Sequence, residues 1–175
     1  MPLPQITRRR PMTKYVGPKR TRVAVNEQRR RAGQKAVERM RSWHDKHTSR
    51  CPVPAHDPVS RHGVAWEGHC AHSVACAYGR SASGWNAVDG WFKTDPKFRH
   101  AGKRAKTAPR GALVFWSGGS AGYGHVAIAN GRGRVWGVDL PDNGRIGLVP
   151  TDEVARRWGL KFLGWIFASD VYGWQ

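Results

Sequence analysis

The sequence predicts helices in its first half and antiparallel strands in its second, a mixed helix-and-sheet chain. Two observations carry this. Apolar residues recur at helical spacing in two segments before residue 80, and short apolar runs separated by glycine-rich turns fill residues 111–140. The first helix is expected over about 26–47. Asn26 suits its N-cap and Glu27 its first turn, while Ala32, Ala36, Met40, Trp43 and His47 fall on one narrow face. The second runs from about residue 70. Ala71, Val74, Ala75 and Tyr78 make its buried stripe, Gly68 permits a tight turn into it, and Gly79 stops it. Ala112–Trp116 and His125–Ala129 read as strands, Ser117–Gly124 as a glycine-rich loop, Asn130–Gly133 as a hairpin turn, and Val135–Leu140 as the returning strand.

Composition bounds what such a chain can be. Of the net charge of +18, +12 lies in residues 1–50 and +6 in the remaining 125, whereas seven of the nine tryptophans lie beyond residue 80. This asymmetry predicts a basic N-terminal arm, residues 1–58, and a globular domain, residues 59–175. Within the arm, residues 1–24 are Pro-rich, basic and expected to be disordered, and 49–58, with Pro52, Pro54 and Pro58, read as a linker. An arm of this charge suits a polyanion, whether nucleic acid, an anionic wall polymer or a membrane surface; alternatively it only solubilises. No base-reading motif accompanies it. No stretch approaches the ~20 apolar residues of a membrane span, and no apolar run follows the basic N-terminus as a secretory signal would require.

Three cysteines, Cys51, Cys70 and Cys76, argue against a disulfide framework and leave at least one free thiol. The run Cys51, His56, His62, His69, Cys70, His72, Cys76 is rich in metal-ligating types but lacks CxxC spacing, so neither a metal nor a cofactor is expected. Cys76 reads as a packing residue. His72 stands where the helix calls for an apolar side chain.

Cys70 falls at the helix start, where the dipole and unpaired N–H groups favour a thiolate; the alternative is a buried structural cysteine. A nucleophilic cysteine needs a base, and His125 opens a strand. With a three-residue turn over Gly131–Gly133, His125 lies opposite Asp139, close enough for a carboxylate to accept from an imidazole nitrogen. A two-residue turn would bring residue 136 or 138 there instead, and Asp139 alone would be a turn residue before Pro141-Asp142-Asn143-Gly144.

Taken together, Cys70 on a helix start, PRGALVFWSGG, GYGHVAI, VWGVD and the late Gly164-Trp165 resemble the CHAP-type, papain-like cysteine peptidases and amidases, relatives of the NlpC-type cell-wall enzymes. The likeness is greatest to compact versions carried by phages of actinobacteria and covers about residues 66–165. It implies a small α+β fold, with the cysteine helix packed on an antiparallel sheet. It further implies Cys70 as nucleophile, His125 as base and Asp139 as the residue that orients the histidine. Many members carry Glu and then Asn on that strand, where this chain reads Val138-Asp139-Leu140. The implied substrate is peptidoglycan, cut at an amide or peptide bond, by a phage-encoded protein of the host cytoplasm or virion acting at the wall. Trp85, Trp91 and Trp116 could line such a cleft or belong to the core. Two other readings stand beside this one: a non-catalytic virion protein of the same fold, and a nucleic-acid-binding protein using the basic arm.

Overall fold

The hairpin read from the sequence lies inside a six-stranded antiparallel sheet. In a computed structural model, which describes residues 22–52, 63–80, 85–102 and 107–174, the elements run α1 (Arg22–Asp45), α2 (Cys70–Tyr78), α3 (Ala87–Phe92), β1 (His100–Ala101), β2 (Leu113–Ser117), β3 (His125–Gly131), β4 (Arg134–Val138), β5 (Ile146–Pro150), α4 (Thr151–Trp158) and β6 (Lys161–Ile166). The sheet order is β1-β6-β2-β3-β4-β5. This is an α+β fold. Strand alternation divides the core between the two faces. Phe115, Val126, Ile128, Trp136 and Val138 pack toward α1, α2 and α3, while Val114, Trp116, Ala127, Ala129 and Val135 pack toward Val154 of α4 and Leu160.

The β3–β4 register matters for the site. Ile128 pairs with Trp136 and Ala129 with Val135, as a three-residue turn would give, but the turn has only two residues, Arg132-Gly133, both at positive φ. Gly131 pairs with Arg134, and Asn130 is the extra residue of a bulge that restores the register. The Asn130 side-chain oxygen accepts from Arg110 Nη1 at 2.6 Å and Trp136 Nε1 at 3.2 Å, which gives the bulge a fixed shape.

Helix α1 begins at Arg22, within the stretch expected to be disordered, and it docks on the domain. Its buried stripe is Gly33, Ala36, Val37, Met40 and Trp43. Ala32 is exposed, and His47 lies beyond the helix end at φ 52°, so the stripe is turned by one residue from the expected one. The reason is a backbone contact. A Cβ on Gly33 would sit 2.9 Å from Gly111 Cα, so only glycine lets the helix reach the turn before β2. Arg29 adds two bonds to the Asp170 carboxylate, at 2.6 and 2.9 Å, and Arg39 donates to Ala77 O at 2.8 Å. α1 and α2 thus share one core. The rest of the proposed arm, residues 1–21 and most of the linker, lies outside the described residues.

Candidate active site

Cys70 is the first residue of α2. The preceding His69 supplies no side-chain cap, and Ser73 Oγ donates to Cys70 O at 2.7 Å. At the other end Gly79 takes the left-handed conformation, φ 65°, and its N–H meets Cys76 O at 3.0 Å, the expected stop. The backbone N–H groups of Val126 and Ala71 lie close enough to the Cys70 sulfur to favour a thiolate. Burial opposes them and is the larger effect; with a smaller push from the Asp139 charge, it raises the thiol to about 11. The helix-start position alone predicts the opposite direction, so desolvation decides the sign here.

The Val126 contact puts the Cys70 sulfur one residue along the chain from His125, at the start of β3. The imidazole shares the α4 side of the sheet with Ala127 and Ala129. Its ring centroid lies 4.9 Å from that of Trp158 and 6.0 Å from that of Trp116. It is only 5% exposed, and Nε2 is buried without a hydrogen-bond partner. Desolvation lowers its pKa to about 3, so the ring is neutral at pH 7.

Asp139 leaves the end of β4 at φ 59°. Its carboxylate accepts from Gly144 N–H at 2.7 Å and Gly68 N–H at 3.0 Å. It therefore ties the turn before α2 to the turn after β4, while Nε2 of His125 has no partner. The group that faces Nε2 was missed at the sequence level: a Cβ on Gly137 would stand 3.4 Å from that nitrogen, 3.2 Å from Ala127 Cβ and 3.0 Å from Leu140 Cδ1. A glycine inside VWGVD was the available signal, since mid-strand glycine often marks a close approach. The structure thus gathers Cys70, the start of β3 and Asp139 at one end of the sheet. It brings the carboxylate near the thiol, whereas the imidazole, on the α4 side of the sheet against Trp158 and Gly137, contacts neither of them.

Trp85, Trp91 and Trp116 are 9%, 4% and 0% exposed and belong to the core rather than to an open stacking surface. Tyr123, in the loop before His125, is exposed, and its carbonyl receives Val88 N–H at 3.1 Å.

Comparison with known proteins places little around this chain. No family model matches it, and no curated protein matches it. Among solved structures, the P60 domain of an antigen from M. avium subspecies paratuberculosis aligns at 17% identity with a TM-score of 0.46, covering 80% of this chain and 98% of that one.

Proposed function

We propose that this protein is a cell-wall hydrolase that cleaves an amide or peptide bond of peptidoglycan by thiol chemistry. The observation that carries the reading is Cys70 as the first residue of α2, with its sulfur beside the backbone of Val126, the residue after His125. The imidazole lies on the α4 side of the sheet and α2 on the opposite side, so His125 serves as the base once its ring swings round the start of β3 toward Cys70 on substrate binding. The sulfur attacks the substrate carbonyl carbon, and the oxyanion that forms is met by the backbone N–H of Cys70 at the positive end of the helix. His125 returns the proton to the leaving amine as the C–N bond breaks. Water, deprotonated by the same imidazole, then hydrolyses the thioester and restores the thiol. Because the resting pair is neutral, the proton moves as the carbonyl is attacked rather than being held beforehand as a thiolate–imidazolium pair. Asp139 acts here as a positioning residue: it fixes the turn that delivers Cys70. Peptidoglycan as substrate rests on the sequence resemblance, and so does assignment to phage-encoded CHAP-type enzymes.

The test is mass spectrometry of fragments released from purified walls by the wild type, Cys70→Ala and Cys70→Ser. Both variants are expected to release none while keeping the wild-type melting curve. Release by Cys70→Ala would remove the nucleophile assignment. No release by folded wild type on walls of several chemotypes would favour the non-catalytic reading instead.

A further inference from the structure

Cys51 and Cys76 take no part in the proposed chemistry, yet their sulfurs are 2.7 Å apart, closer than two unbonded sulfurs rest. Both residues are buried, at 3% and 7% exposure. Cys51 is held where it is by pairing with the chain that leads into α2: its N–H meets Val64 O at 3.0 Å, its carbonyl accepts Gly63 N–H at 3.2 Å, and Arg50 bridges Ala65. Cys76 is fixed on α2, six residues after Cys70. His72, the residue out of place in an apolar helix face, is the third member of the cluster. Its Nε2 and Nδ1 lie 3.4 and 3.9 Å from Cys76 Sγ, and its ring packs 6.2 Å from Trp66.

A Cys₂His cluster invites a zinc ion, but the geometry favours another bond. Tetrahedral zinc with bonds of ~2.3 Å to sulfur would hold two thiolates ~3.7 Å apart, much further than these sulfurs are. A ligating imidazole also points one nitrogen at the ion and the other away, whereas here both nitrogens are nearly equidistant from Cys76 Sγ, which places the sulfur beside the ring. We propose that Cys51 and Cys76 form an intramolecular disulfide that pins the segment before the active site to α2 and leaves Cys70 as the protein's single reactive thiol. His72 assists closure by accepting the Cys76 proton.

The oxidant is a low-molecular-weight disulfide such as oxidised glutathione. The Cys76 thiolate attacks one of its sulfurs and expels one thiolate, giving a mixed disulfide. Cys51, losing its proton, attacks the Cys76 sulfur and expels the second. Two protein thiols are oxidised, one small disulfide is reduced to two thiols, and the two protons lost by the protein are taken up by the released thiolates. Because both sulfurs are buried once the fold is complete, exchange takes place while the Cys51 segment is docking. The proposal does not depend on the hydrolase reading, since its readout is chemical.

Full-length wild type is refolded with a reduced/oxidised glutathione mixture, denatured without reductant and treated with iodoacetamide. One alkylated cysteine, Cys70, is expected, together with a Cys51–Cys76 linked peptide 2 Da lighter than the sum of its reduced parts. Prior reduction should give three alkylated cysteines. Under the same refolding, His72→Phe should close the bridge several-fold more slowly, and Cys51→Ser should leave Cys76 alkylatable. Three alkylated cysteines in the glutathione-treated wild type would overturn the proposal. So would a bridge to Cys70, or one equivalent of zinc in refolded protein that is lost in Cys51→Ser.

Discussion

Replacing His125 with phenylalanine tests the buried neutral imidazole directly. An unfolded histidine takes up a proton near pH 6.5, whereas the folded ring holds out to about 3. Between those values the unfolded state binds more protons than the folded one, so wild-type stability rises with pH there and falls on acidification. At about 1.4 kcal/mol per unit of pKa difference, the full window of about 3.5 units amounts to roughly 5 kcal/mol, an upper figure because the unfolded chain also relaxes. His125→Phe keeps a planar ring between Trp116 and Trp158 and removes the titration. Urea unfolding of both proteins at intervals from pH 7.5 to 3.5 gives the difference curve, in which every other titrating group cancels. The wild type should lose stability relative to the variant at close to 1.4 kcal/mol per pH unit below pH 6.5 and show no relative change above it. Parallel curves across the range would mean that the imidazole is solvated or paired, and the neutral resting state would go with it.

Three further outcomes follow from the same geometry. With its thiol raised to about 11, Cys70 should react with iodoacetamide about 100-fold more slowly at pH 7 than a thiol of pKa 9, and the rate should climb about tenfold per unit from pH 7 to 10; a plateau below pH 8 would show a preformed ion pair instead. Asp139→Asn keeps one acceptor oxygen but loses one of the bonds to Gly68 and Gly144, so stability should drop by about 1–3 kcal/mol. It also removes the negative charge beside Cys70, so alkylation at pH 8 should speed up; a slower reaction would contradict the charge effect. Gly33→Ala raises intrinsic helix propensity, yet its Cβ would meet Gly111 Cα at 2.9 Å and Arg110 O at 3.0 Å, so thermal unfolding should reveal a loss of about 1–3 kcal/mol, and a gain would refute the close approach.

What the sequence disclosed, and what it did not, divides along the range of the interactions. α2 was readable because its stripe and its Gly79 stop are local, and β3–β4 because alternation and turn chemistry are local. The register of residues 128 and 129 came out as anticipated although the turn did not, because a two-residue turn and a one-residue bulge compensate. The remaining strands were not anticipated: β6, between β1 and β2, is bulged against β2 between Phe115 and Trp116, which spoils its alternation, and the edge strand β1 has only two residues. Asp139 illustrates the harder limit. Strand pairing points it toward His125, but it follows β4 at positive φ, where its backbone turns away and two glycine N–H groups take its oxygens. The sign of the Cys70 shift was illegible for a similar reason: the helix start is local, whereas the burial that outweighs it comes from β3 and the turns.

The basic N-terminal third raises the question of where attachment ends and the folded domain begins. Charge alone separates residues 1–58 from the rest, and a truncation at 58 would appear to spare the domain. Packing argues otherwise. Ala36, Val37, Met40 and Trp43 of α1 are between 0% and 7% exposed against α2 and its neighbours. At about 1.5–3 kcal/mol for each of the three larger side chains, their loss removes roughly 5–9 kcal/mol, comparable to the whole stability of an ordinary domain at about 5–15. Helix α1 also carries Arg29 to the Asp170 carboxylate. Deleting residues 1–58 should therefore give insoluble protein or one without a cooperative melt, whereas deleting 1–21 should leave the melting temperature within a few degrees. The shorter deletion is then the one that isolates electrostatics: wall binding that weakens with it and with added salt, at unchanged stability, assigns attachment to the first 21 residues. If the 1–58 deletion melts like the full chain, the shared core has been misjudged, and the helix is an appendage after all.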